Sequence, residues 1–281
     1  MDFFTRLQKL RESRPHPAIL SVRSENCGYC PYHANGRNCY LIVGHVESED
    51  CYYGFWLGVS RDCTDCAFTE KSELCYECVD VQSCYNVNFS RDCIACSDCD
   101  FCYDCKGCQN CFGCVNLRNK QYHIFNEPHS KEDYFEKAAV LKQQYNRLEN
   151  PPPEFIALQE KLPHIAMQGF NNENCVGDHI FNSKNALFCF DVSEQEDTMY
   201  IFNSHHIKES MDCNYTSLGA EFNYMCHSAV TLYNSNFCNI CWYSQNLEYC
   251  EYVYNSHDCF GCVSRNHAEY EILNEKYSKE E

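Results

Sequence analysis

Positive charge is scarce in this chain: 22 Lys and Arg stand against 40 Asp and Glu in 281 residues, a formal charge of −18. A phosphate backbone would meet net repulsion unless a basic patch existed, and none is written here, so no nucleic-acid partner is expected. Long apolar runs are missing too. Charges break up the N-terminal stretch Leu7-Gln8-Lys9-Leu10-Arg11-Glu12, so neither a signal peptide nor a membrane span is expected, and the expected compartment is cytoplasmic. There is no nucleophile elbow, phosphate loop, dinucleotide fingerprint or His-Glu-x-x-His run. A non-enzymatic protein is therefore expected.

Cysteine is in excess. The chain has 26 in 281 residues, roughly 9%, a fraction usual in short secreted disulfide scaffolds. This chain is long enough to bury a core without such staples, and a reducing compartment turns the cysteines into a question of metal or packing.

The seventeen cysteines from Cys27 to Cys114 all fall on residue numbers divisible by three, and a longer period of twelve links Cys27, Cys39, Cys51, Cys63, Cys75, Cys99 and Cys111. The other residues on that frame, among them Ser24, His33, Gly36, Ile42, His45, Ser48 and Ser60, include no Asp, Glu, Lys or Arg. An uncharged track at every third position points inward. Twelve residues with four inward positions predict a mainly β fold, a narrow β-solenoid whose bore admits small side chains. A second uncharged track runs from Ile180 to Gly219, slips by one residue as a bulge would cause, and continues from Cys226 to Cys262.

Both tracks end alike. Cys111-Phe112-Gly113-Cys114-Val115 leads through Arg118-Asn119 to Ile124-Phe125-Asn126, and Cys259-Phe260-Gly261-Cys262-Val263 leads through Arg265-Asn266 to Ile272-Leu273-Asn274. This pattern predicts an internal duplication, with each shared tail a capping strand over the rod's open edge. Ser130 to Asn150 reads as a helix capped by Ser130, Pro151-Pro152-Pro153 stops it, and Glu154 to Leu162 reads as a second helix. Phe3, Phe4, Leu7 and Leu10 have helical spacing and are expected to cap the first rod. The expected organisation is a helical cap over 1–23, a first solenoid over 24–129, a helix-proline-helix connector over 130–163 and a second solenoid over 164–281.

Period twelve brings CxxC pairs on neighbouring coils into rectangles of four thiols: Cys63, Cys66, Cys75, Cys78; Cys93, Cys96, Cys105, Cys108; and Cys99, Cys102, Cys111, Cys114. Four convergent thiolates suit zinc or an iron–sulfur cluster. Cys27, Cys30 and Cys39 form a partial rectangle in which Ile42 takes the fourth slot, and His33 or His45 is a candidate replacement. Cysteine is also a small hydrophobe of the right volume for the bore, and disulfides between positions six or twelve apart are the third possibility.

The runs Ser72 to Cys78, Gly107 to Glu127 and Asn171 to Cys175 resemble the uncharacterised cysteine-rich repeat proteins of candidate-phyla bacteria. The resemblance runs from about Ser24 onward and implies no established activity; the zinc-ribbon-like Cys pairs that open those relatives are absent, so that role is not carried over. The twelve-residue coil is also similar to that of beetle antifreeze proteins. Their threonine array is missing, since Thr64 and Thr69 are the only threonines between Cys27 and Cys114.

A narrow bore has no room for aromatics. Tyr40, Tyr52, Tyr53, Phe55, Trp56 and Phe68 are expected outside the first rod, and Phe181, Phe202, Phe222, Tyr224, Tyr233, Trp242, Tyr243, Tyr252 and Tyr254 outside the second. Such faces suit packing, a protein partner or a homo-oligomer. The favoured function is metal binding by stacked CxxC thiolates, with electron transfer if the metal is an iron–sulfur cluster; the alternative is a metal-free interaction scaffold.

Overall fold

A computed structural model describes residues 1–17, 19, 21–57, 60–62, 64–65, 97–146 and 149–280. Cys63, Cys66, Cys75, Cys78, Cys93, Cys96 and Phe68 lie outside the described residues. Two compact units divide the chain: residues 17–164 form one, and residues 1–16 with 165–281 form the other. No helix among the described residues is long and apolar enough to cross a membrane.

The protein is a β-solenoid of stacked parallel coils. In the unit of residues 17–164, strands pair in parallel one period of twelve apart, as in Ser21↔His33, His33↔His45, Val43↔Phe55, Cys99↔Cys111 and Cys111↔His123. In the other unit Val192 pairs with Ser204 and Leu232 with Ser244. The strand Lys184–Met199 shows the inward frame directly, because Ala186, Cys189, Val192, Gln195 and Thr198 are its buried residues.

A repeating backbone triplet turns each coil. The residue before every inward position is left-handed, for example Asn26 (φ 52°), Asn38 (φ 52°), Asp50 (φ 54°), Asn116 (φ 59°), Asn185 (φ 51°) and Asn246 (φ 53°). Asn and Asp tolerate that region best, which explains their abundance just before the inward residue. Stacked one coil apart, they also bond one another: Asn26 donates to Asn38 at 2.9 Å and Asn38 to Asp50 at 2.9 Å. Asn174, Asn185 and Asp197 form a second such ladder, and Asn234, Asn246 and Asp258 a third.

The expected slip is present as one extra residue, since Ile207 pairs with Ala220, thirteen residues on. A second irregularity was not expected: Val176 pairs with Leu187, eleven residues on, before Gly177 pairs with Cys189 at twelve. Gly177 makes the short coil possible. Its φ is 148°, and a Cβ there would lie 1.8 Å from the carbonyl oxygen of Cys189.

The tails close the two stacks in the same way. Gln121–Ile124 turns back antiparallel onto Glu127–Pro128, and Glu269–Ile272 onto Glu275–Lys276. Asn126 accepts the N–H of Val115 at 2.9 Å and donates to its carbonyl at 3.0 Å. Asn274 does the same to Val263 at 2.9 and 2.8 Å.

Helices cover both closed ends. The helices α2 (Lys131–Gln144) and α3 (Pro153–Lys161) bring Tyr134, Ala138 and Phe155 onto Phe101, Phe112 and Val115. Ser130 caps α2 as expected, and α2 ends at Gln144, short of the predicted Asn150. The helix α1 (Phe3–Ser13) brings Phe3, Leu7 and Leu10 onto Val263 and Leu273, with the Phe3 and Phe260 rings 4.6 Å apart. The expectation that α1 caps the first rod is therefore corrected: its apolar stripe belongs to the end of the second. The equivalent end of the first rod is already filled by the larger ring of Phe125 and by the two connector helices.

Candidate metal centre

The backbone explains why Cys and Ser fill the bore. The N–H of an inward residue points at the side chain one coil before it: Gln195 donates to Ser183 Oγ at 3.1 Å, Thr216 to Ser204 at 3.0 Å and Leu247 to Ser235 at 3.0 Å. Each hydroxyl in turn donates to the carbonyl two residues back, as Ser204 does to Phe202 at 3.0 Å. A buried N–H without an acceptor is costly, so the inward slot favours a small group that both donates and accepts. Thiols take the same donor role. Cys39 reaches the Arg37 carbonyl at 3.3 Å, Cys213 that of Met211 at 3.3 Å and Cys238 that of Asn236 at 3.3 Å. Every cysteine whose side chain is described is a free thiol.

Near the start of the first stack, ligand atoms of Cys27, His33 and Cys39 lie within 4.8 Å of one another, the one such group of three among the described residues. Positions six apart face each other across a four-sided bore, and His33 is six from both cysteines. Its ring is 2% exposed and reaches across because the next inward residue is Gly36, where a Cβ would stand 2.1 Å from Nε2. Ser24 Oγ lies 2.7 Å from His33 Nδ1 and donates its own proton to the Val22 carbonyl at 3.2 Å. In the tautomer that carries the ring proton on Nδ1, Ser24 Oγ accepts it and the lone pair stands on Nε2. Burial lowers the His33 pKa from 6.5 and keeps the imidazole neutral, the ligand form. Burial raises the Cys27 thiol, and the Cys51 thiol together with burial raises Cys39, so both are protonated until something replaces the proton.

The sequence offered His33 or His45 as a candidate replacement, but it gave no weight to the i−6, i, i+6 spacing that brings His33 within 4.8 Å of two thiols. His45 pairs with His33 in the strand register.

Of the proposed rectangles, Cys102, Cys105, Cys108, Cys111 and Cys114 have described side chains, all 0% exposed; Cys99 lies in the strand Ser97–Asp100, in register with Cys111. These thiols follow the chain around the bore, each touching the next three residues on. Cys108 receives the contacts of Cys105 and Cys111, which pull its pKa down. Cys111 moves up, through Cys108, then Cys114, then burial. The turn thus holds one favoured thiolate flanked by donors.

The second rod holds an arrangement that sequence reading missed. Cys213, Cys226, Cys238, Cys250 and Cys262 occupy one corner on successive coils, each in contact with the next. The thirteen-residue coil hid its first member, because Cys213 and Cys226 fall on different frames of three until the extra residue is counted, while Cys226, Cys238, Cys250 and Cys262 stand twelve apart.

Comparison with known proteins adds little to this geometry. No family model matches the chain, and no curated protein does. Solved structures with some likeness include a candidate acetyltransferase from Desulfovibrio desulfuricans G20, at 8% identity over 94% of this chain and 74% of that one, with a TM-score of 0.14. A UDP-N-acetylglucosamine acyltransferase from Campylobacter jejuni aligns at 8% identity over 83% of this chain and 66% of its own, with a TM-score of 0.11. One from Moraxella catarrhalis RH4 aligns at 10% over 94% and 79%, with a TM-score of 0.10. Likeness at this level carries no argument about activity.

Proposed function

We propose that this cysteine-rich β-solenoid is a non-enzymatic metal-binding protein and that Cys27, His33 and Cys39 hold zinc. The observation that carries the reading is the convergence of two thiols and a neutral imidazole within 4.8 Å, with the second ring nitrogen engaged by Ser24. Zinc favours such mixed sulfur and nitrogen sets, and an oriented second nitrogen is the usual support for a histidine ligand. Cys30 is buried beside the group and Cys51 touches Cys39, so two further thiols stand near it. The reading extends to the turn from Cys102 to Cys114, where Cys108 is the first thiolate to offer a soft metal or an iron–sulfur cluster.

The test is elemental analysis and an absorption spectrum of protein purified without oxygen, for the wild type, His33→Asn and Gly36→Ala. Zinc bound at one equivalent and lost in both variants supports the centre, since an alanine methyl would displace the imidazole. Iron with sulfide, retained in both variants and lost in Cys108→Ser, assigns the metal to the other turn. The absence of metal, with all thiols free, favours a second reading in which Cys does the work of Ser in the bore. That reading rests on the shared hydrogen bond to the carbonyl two residues back. The function would then lie on the outer aromatics, where Tyr29, Tyr40 and Tyr53 form an exposed edge-to-face series at 5.7 and 6.0 Å that offers a surface to a protein partner or a second copy.

A further inference from the structure

We propose that the corner column of Cys213, Cys226, Cys238, Cys250 and Cys262 is a binding site for a soft monovalent cation, copper(I) or silver(I), held in two-coordinate fashion between successive thiolates. This site is separate from the zinc reading and stands whatever the outcome at Cys27.

Spacing is the first argument. The five thiols are 2% exposed or less, stand one coil apart and touch in sequence. Coils stack at about 4.8 Å. Two metal–sulfur bonds of about 2.3 Å placed in line span about 4.6 Å, so an ion midway between two coils meets one sulfur on each side without moving the backbone.

The second argument is what surrounds the column. A tetrahedral ion needs four ligands; among the other inward corners Ala229, Leu232, Leu247 and Val253 offer none, and the further thiols Cys241 and Cys259 join no group of three ligand atoms within 4.8 Å of one another among the described residues. Ile201, one coil before Cys213, ends the column at its upper side. Soft thiolates in low coordination number select a d10 monovalent ion over zinc.

Charge is the third. Each interior thiolate bridges two ions, so five thiols and four cations give five released protons and a chain of net charge −1. Four thiolates around one divalent ion would bury a charge of −2 at every site, which a dry bore penalises more. Backbone N–H groups meet the sulfurs of the column as they meet serine oxygens elsewhere in the bore: that of Cys238 faces the bridging Cys226, that of Cys262 the bridging Cys250, and that of Asn274 the terminal Cys262. No electron is transferred; protons are exchanged for metal.

Silver(I) is the probe, because it needs no reductant. It is added in chloride-free buffer to the reduced full-length chain, both folded and during refolding, and bound silver is counted after desalting. X-ray absorption at the silver edge reads the number of sulfurs per ion. The wild type is expected to hold about two more ions than Cys238→Ser, which cuts the column in its middle, and about as many as Cys189→Ser, which lies outside it. Serine fills the equivalent slots at 204, 235 and 256, so both variants should fold, and circular dichroism checks this. Cys226→Ser gives the same expected loss of two if Cys238→Ser does not fold. Two sulfurs per ion are expected for the ions lost. Equal silver in wild type and column variants, three or four sulfurs per ion, or no uptake by either loading route would overturn the proposal.

Discussion

The two stacks use the same thiol in two patterns. From Cys102 to Cys114 the sulfurs run around the bore, three residues apart, and their contacts converge on Cys108. From Cys213 to Cys262 they run along the bore, one coil apart, each touching the thiol of the next coil. The backbone is the same in both. Which inward positions carry Cys therefore decides whether a sulfur meets its neighbours around the bore or along it.

The largest effect should come from the ends, where the stacks have different covers. Phe155→Ala removes a buried ring that packs 6.0 Å from Phe101, and should lower the stability of the 17–164 unit by about 3–5 kcal/mol. Calorimetry should show that transition fall while the transition of the other unit holds; a common shift of both would show that the covers are not independent.

The matched Asn clamps should give matched, smaller losses. Asn126→Ala and Asn274→Ala each strip a buried backbone N–H and carbonyl of their partners, at about 1–3 kcal/mol apiece. Unequal losses in urea unfolding would break the equivalence of the two closures.

Alkali should weaken the column. The Cys250 contact, against an opposing one from Cys259, and burial push the Cys262 thiol up to about 12, above its ordinary 9.0. Cys213 moves up too, through Cys226 and then burial. Folded thiols thus hold protons that unfolded ones release, so this stability is present in full below pH 9 and is lost as pH rises toward 12. Thermal melts between pH 8 and 11 should show a decline in the unit of 165–281 that Cys262→Ser blunts. A decline unchanged by that variant would locate the sensitivity elsewhere.

The smallest effect should come from the outer ladders. Asp50→Ala and Asp197→Ala each remove one terminal acceptor and should cost about 0.5 kcal/mol in either unit, read as a shift in the urea midpoint.

Much of this was legible in the sequence. The frame of three, the period of twelve, the slip and the shared tails all follow from side-chain size and charge, because a narrow bore screens every inward position in the same way. What the sequence hid depends on contacts between distant positions. The stripe of Phe3, Leu7 and Leu10 shows that α1 covers something, but only the fit against Val263 and Leu273 shows what. Gly177 reads as an ordinary glycine until the carbonyl of Cys189 is seen against it. His33 was visible as a candidate, yet its reach across the bore depends on the room left at Gly36. Four members of the thiol column keep the period of twelve, and the fifth, Cys213, escaped notice because one inserted residue breaks the arithmetic without breaking the corner.

The Asn ladders have a direction. In each, the amide of one coil donates to the oxygen of the next, and the third rung is an aspartate: Asp50, Asp197 and Asp258. A carboxylate accepts that bond and has no N–H to hand on. Each ladder is a ruler three coils long with its stop written into it, so the outer edge of the rod counts its own repeats while the bore beneath continues without a mark.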